Sequence, residues 1–312
     1  ADPDRFPRCQ PADLDARMRL SRLKEALRRE CEKGTVVCLQ EISTTWAGEL
    51  HPLFAERGYH FVTGLYGHFK NGYMGVGLAW PVASFEALDI AITRVADTKA
   101  WGKQPPPSPE SASASVLAVG SSLLLAPLRR AAGAAATLLR WSGLQGLLPA
   151  PAKSERPLDE PYESSRRRMN QLVFARLRLR QHGESAGCSG RGGRVVCVGT
   201  YHMPCVFFNP PVMTIHTALV AQLMKRLSGN DPQILAGDFN FVPGSACYRI
   251  VTEGRLEQSA AEYPTPPPWE TEASGGWEPA LEAPLRSAYR ECDGREPDFT
   301  NNAQVNELCP TV

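Results

Sequence analysis

Leu235-Ala236-Gly237-Asp238-Phe239-Asn240-Phe241-Val242-Pro243 is the segment on which the reading of this chain turns. It is an apolar run that ends in a carboxylate and an amide, and Pro243-Gly244 then closes it with a turn. In a strand, residues i and i+2 point the same way, which directs Asp238 and Asn240 toward one site at the C-terminal end. A carboxylate suits a hard cation such as Mg²⁺, and an amide beside it holds a phosphate oxygen or orients a water. Taken alone, Asp and Asn before Pro-Gly are ordinary turn formers.

Two further segments share this grammar. Val36-Val37-Cys38-Leu39-Gln40-Glu41 is an apolar strand that ends in a carboxylate. Val195-Val196-Cys197-Val198-Gly199-Thr200-Tyr201-His202 is another, ending in an imidazole. Groups gathered beyond the carboxyl ends of strands are the usual site geometry of α/β folds.

In this order, L-Q-E, T-x-H and G-D-F-N-x-x-P resemble the endonuclease/exonuclease/phosphatase superfamily, the deoxyribonuclease-I-like fold. Leu285-Arg286-Ser287-Ala288-Tyr289, followed by Glu296-Pro297-Asp298-Phe299-Thr300-Asn301, is similar to the carbon-catabolite-repression-type deadenylase branch, which also holds nocturnin and the Angel proteins. Arg168-Met169-Asn170-Gln171-Leu172-Val173 resembles a strand start in that branch. The resemblance covers about residues 13–100 and 165–306. It implies a four-layer α/β sandwich of two mixed sheets packed face to face with helices outside. It implies Glu41 as the Mg²⁺ ligand, with Mn²⁺ as the alternative ion, His202 on a phosphate oxygen, and Asp238 holding or activating the attacking water. Asn240 would position that water and the phosphate, and Asn170 is a weaker candidate for a phosphate contact.

The chain departs from the family pattern at both ends. The family's first strand carries an Asn at the metal site, and its last strands carry D-x-L-D-Y and S-D-H motifs. Neither L-D-Y nor S-D-H occurs in this sequence. The expectation is therefore a partial domain, lacking first and last strands, with little activity and poor solubility from open sheet edges.

The composition fits a globular protein, with 43% hydrophobic and 21% charged residues among 312. A net charge of +1 argues against a long nonspecific nucleic-acid footprint. Nine cysteines with no C-x-x-C pair read as small buried hydrophobes rather than a disulfide framework or zinc site, which favours an intracellular, cytoplasmic setting. No N-terminal signal peptide is visible, and the chain begins at Ala1 rather than Met, which leaves an upstream address open.

Along the chain, residues 13–32 read as an amphipathic helix with Leu20, Leu23, Leu27 and Cys31 on one face, capped by Asp13 and stopped at Gly34. A strand over 35–39 follows. Residues 59–66 and 73–80 read as two strands. The glycines of Gly72-Tyr73-Met74-Gly75-Val76-Gly77 serve close backbone packing rather than nucleotide binding, since no Lys-Ser/Thr follows. Residues 103–163 read as a Pro/Ser- then Ala/Leu-rich insertion in a single domain, too broken and charged to span a membrane. Strands over 166–181 and 194–202, a helix over 211–228 with Val212, Ile215, Leu219, Leu223 and Leu227 inward, and a strand over 233–238 complete a β-α-β unit. Residues 262–284 read as an irregular Pro-rich loop. His51, His60, His68, His182 and His216 read as structural.

The function expected is Mg²⁺-dependent hydrolysis of phosphodiesters at RNA 3′ ends. Two alternatives stay open: a phosphatase for a nucleotide or other small phosphorylated molecule, and a noncatalytic interaction protein built on the same fold. Base-stacking aromatics beside the site favour RNA, whereas a closed pocket favours a small molecule. No leucine-rich-repeat docking module is visible.

Overall fold

The computed structural model describes residues 10–103, 160–180, 193–273, 275–298 and 300. In chain order the elements are α1 (Pro11–Leu14), α2 (Ala16–Glu32), β1 (Val37–Ile42), α3 (Thr44–Glu56), β2 (Tyr59–Leu65), β3 (Gly75–Pro81), β4 (Phe85–Arg94), α4 (Pro161–Arg166), β5 (Gln171–Leu179), β6 (Val195–His202), α5 (Pro210–Ser228), β7 (Gln233–Asp238), α6 (Ala246–Glu253), α7 (Pro268–Ala273) and α8 (Ala288–Asp293).

The strands form two sheets. The order β1-β3-β2 is antiparallel throughout, whereas β4-β5-β6-β7 is mixed, with β6 and β7 parallel. The period of two along β3 and β5 explains how they stack. Val76, Leu78 and Trp80 of β3 meet Val173, Ala175 and Leu177 of β5 in an inter-sheet core. The alternate residues face outward. Phe61 and Ala79 pack under Leu50, Leu53 and Phe54 of α3, joined by Leu27 of α2. Leu172 and Phe174 pack under Val212, Ile215, Leu219 and Leu223 of α5. The result is helix, sheet, sheet, helix, and β5 is apolar and buried without a break over residues 172–175, where both of its faces are covered.

The parallel pairing of β6 and β7 through α5 is the expected β-α-β unit. Leu227, expected inward on α5, is only partly buried. The glycines at 72–77 pack the backbone closely, as read from the sequence: a Cβ on Gly75 would lie 1.9 Å from the Gly64 carbonyl oxygen.

Several expectations shift. The helix expected over 13–32 is two pieces, and its cap is Asp15, whose carboxylate accepts from the Arg17 and Met18 amides at 3.0 and 2.9 Å. Asp13 instead pairs with Arg22. The strand expected over 35–39 runs two residues later, from Val37. The loop expected over 262–284 contains α7, which places Glu270 in the interior against Lys99. The segment expected to end the insertion at 163 holds α4, whose Tyr162 is buried in the α5-side core and donates to the Pro264 carbonyl at 2.6 Å. The rest of that insertion beyond Lys103, and His182, lie outside the described residues. No expectation from the sequence covers α3, β4, α6 or α8. Pro52 and Gly48 dilute the helical signal of α3, and a bulge between Ala87 and Asp89 breaks the alternation of β4.

Candidate active site at the strand ends

The two sheets bring their chemically equipped ends to a common rim. Register places His202 directly beside Asp238 at the last pair of β6 and β7. Gly237 makes that close pairing feasible: its φ is 148°, and a Cβ there would sit 1.8 Å from the Tyr201 carbonyl oxygen. Gln40, preceding Glu41, donates from Nε2 to Thr200 Oγ1 at 2.9 Å and so ties the end of β1 to the end of β6.

Asn240 reaches the site by a different route from the one its spacing implies. The strand stops at Asp238, and Asn240 is left-handed with φ of 50°. Its backbone N–H donates to Asp238 Oδ1 at 3.1 Å, and its Nδ2 donates to the Met203 carbonyl at 3.0 Å. The Met203 N–H in turn donates to the Asp238 carbonyl at 2.8 Å. The loops after β6 and β7 are thereby locked together.

Glu41 is also left-handed, with φ of 57°, where the ladder between β1 and β3 slips past it. Non-glycine residues rarely adopt this conformation, and it costs roughly 1–3 kcal/mol. Among the described residues only Glu41, Tyr73 and Asn240 do so. Two of the three are site candidates chosen from sequence, and Tyr73 lies on a loop whose Gly72 carbonyl accepts from the Thr44 N–H at 2.9 Å, just beyond β1. Strain therefore collects at this rim.

Asn170 precedes β5 at the same rim. Its Nδ2 donates to the His202 carbonyl at 2.8 Å and to the Tyr66 hydroxyl at 3.4 Å. Both amide hydrogens are thus engaged within the protein, which leaves Oδ1, an acceptor, as the group Asn170 can offer a ligand.

The Nε2 of His202 and Oδ2 of Asp238 are 3.8 Å apart, within ionic reach when the imidazole is protonated but too far for a hydrogen bond. Burial pushes the Tyr66 phenol up to about 12, with the Glu41 carboxylate adding to the shift and the Asn170 hydrogen bond opposing it. Burial also pushes the Cys205 thiol up, and both Asp238 and Glu41 add to it, so the two carboxylates share one neighbourhood. Neither Tyr66 nor Cys205 stands in a motif; Cys205 follows closely on His202 in the chain, whereas only the fold carries Tyr66 to the rim.

For a metal, the donor set is sparse. Among the described residues no group of three or more His, Cys, Asp or Glu side chains is arranged to hold an ion. Mg²⁺ does not need such a cage, since it keeps several waters and takes one or two carboxylates plus substrate phosphate. Glu41 is exposed, and no described cation pairs with it, which fits that mode.

A family model for the Endonuclease/Exonuclease/phosphatase family matches residues 12–285, and the chain belongs to that family. The fold is deoxyribonuclease-I-like. A crystal structure of ANGEL2, described as a 2′,3′-cyclic phosphatase, superposes with a TM-score of 0.51 at 16% identity, covering 87% of this chain and 55% of that one. The human nocturnin catalytic domain with bound sulfate superposes with a TM-score of 0.51 at 14% identity, covering 92% of this chain and 72% of that one. The chain thus spans just over half the length of the ANGEL2 structure. No curated protein matches it by sequence. Among the described residues, no helix is long and apolar enough to cross a membrane.

Proposed function

We propose that this chain is a metal-dependent phosphoesterase acting on the 3′ ends of RNA. The observation that supports RNA is the pair Phe207 and Phe208, which are 63% and 69% exposed on the loop that follows His202. That loop is tied to the site through Met203. Large exposed aromatics cost solvation, and beside a phosphate site they offer the stacking surface that unpaired bases use.

Within this reading each residue has a role set by its chemistry. Glu41 would hold Mg²⁺, or Mn²⁺ in its place, and the bound ion supplies charge neutralisation at the phosphoryl group. His202 would donate to a phosphoryl oxygen. Asp238, exposed and acceptor-only when ionised, would take the proton of the attacking water. Asn240, braced on Asp238 and Met203, would orient that water. A phosphatase acting on a single nucleotide is the second reading, because one base can stack on the same phenylalanines.

The test is hydrolysis of a 5′-labelled oligoadenylate, of the same oligonucleotide ending in a 2′,3′-cyclic phosphate, and of 5′-AMP, each with and without Mg²⁺. RNA shortening that chelation abolishes, and that Phe207→Ala/Phe208→Ala weakens in KM by roughly 10- to 100-fold, supports the first reading. Release of phosphate from AMP alone supports the second. Binding without hydrolysis in the wild type supports the noncatalytic alternative and sinks both enzymatic ones.

A further inference from the structure

Tyr66 occupies an unusual position between the two sheets. It follows β2, the edge strand of the antiparallel sheet, yet its hydroxyl oxygen accepts from Asn170, which precedes β5 in the mixed sheet and is 104 residues away. Its ring packs against the inter-sheet core. The same Asn170 amide donates to the carbonyl of His202. The phenol is therefore held from both sides: by the core around its ring and by an amide at its oxygen. A hydroxyl that accepts one hydrogen bond still has a proton to give, and no described group accepts it. The Glu41 carboxylate is close enough to act on the phenol electrostatically.

We propose that Tyr66 contacts the substrate, donating its hydroxyl proton in a hydrogen bond to a non-bridging phosphoryl oxygen, with Asn170 acting as the positioning residue that aims the phenol. This rests on the phosphate-ester reading above and adds to it a donor that no motif marks. The assignment also gives Asn170 a definite part. Its amide hydrogens are committed to His202 and Tyr66, so it organises two phosphate-facing groups instead of touching phosphate itself. No bond is made or broken by Tyr66; it supplies a neutral donor where negative charge gathers.

The test compares wild type, Tyr66→Phe and Glu41→Gln on the labelled oligoadenylate in Mg²⁺, with thermal melts of each. Binding is read by fluorescence anisotropy in the Glu41→Gln background, with and without Tyr66→Phe. Phenylalanine keeps the ring in the core and removes only the hydroxyl. The expected result is a kcat/KM lowered roughly 10- to 100-fold by Tyr66→Phe, the effect of losing one hydrogen bond to a charged group. The melting temperature should stay within about 2 °C of wild type, and the oligonucleotide should bind more weakly to the double variant. Asn170→Ala should lower kcat/KM as well, and should add little on top of Tyr66→Phe. If Glu41→Gln abolishes turnover while Tyr66→Phe stays within about twofold of wild type, the Tyr66 assignment is wrong and the site reading stands. If Glu41→Gln cleaves as wild type does, or wild type neither cleaves nor binds, the site reading fails and takes the assignment with it.

Discussion

His216 makes acid sensitivity a property of the core. The side chain is fully buried on α5. Its Nε2 lies 3.1 Å from the Ser165 carbonyl, which can only accept, so Nε2 carries the proton. Nδ1 is then bare and accepts from the Tyr201 hydroxyl at 2.9 Å. A second proton has no place in this geometry unless Tyr201 gives up its acceptor. Burial, with Arg168 and Arg94 adding to it and the Ser165 carbonyl opposing, pushes the imidazole from 6.5 down to about 4. The unfolded chain takes up a proton on this residue near pH 6.5, and the folded protein resists it until about pH 4. Between those values the unfolded state binds more protons, so stability is fully present above about pH 6.5 and falls with pH. At about 1.4 kcal/mol per unit, the loss is about 3 kcal/mol over the full window and about 2 kcal/mol between pH 6.5 and 5.

Urea denaturation of wild type and His216→Gln at pH 7.5, 6 and 5 reads this directly. Glutamine keeps one donor and one acceptor but does not titrate. Wild type should lose about 2 kcal/mol more than the variant between pH 7.5 and 5, whatever the variant's stability at neutral pH. Carboxylates titrate in both proteins and cancel. Parallel pH profiles, or an imidazole that titrates near its ordinary value by NMR, would refute the tautomer argument.

Two more outcomes follow from particular contacts. Lys99 and Glu270 form an ion pair with side chains 2% and 0% exposed, and the ammonium sits 4.7, 5.3 and 5.6 Å from the Trp101, Trp277 and Tyr162 rings. Lys99→Met leaves the Glu270 carboxylate buried with only the Gly102 N–H at 2.8 Å, and should cost about 3–5 kcal/mol in chemical denaturation. Lys99→Met/Glu270→Leu should recover most of that loss; additive losses in the double variant would contradict it. Glu41→Gly relieves a left-handed backbone and should raise the urea midpoint, by up to about 1 kcal/mol in stability, while removing hydrolysis. A lower midpoint would mean that the carboxylate itself holds the fold.

The sequence carries what is local. The apolar runs ending at Glu41, His202 and Asp238 and the amphipathic face of α5 are written in periodicity, because alternation and the 3.6-residue repeat follow from which side of an element meets the core. That is why the β-α-β unit and the shared rim of His202 and Asp238 were legible. What was not legible depends on partners far along the chain. Lys99 meets Glu270 across 171 residues, and Asn170 meets Tyr66 across 104, so neither pair leaves a mark in any short window. The left-handed turns at Glu41 and Asn240 are likewise invisible in side-chain pattern, since the surrounding strands and loops force them. The motif residues alone therefore pointed to the rim where the ends of β1, β6 and β7 meet. The tertiary structure decided which atoms of those residues remain available, because hydrogen bonds to distant carbonyls had already engaged the rest.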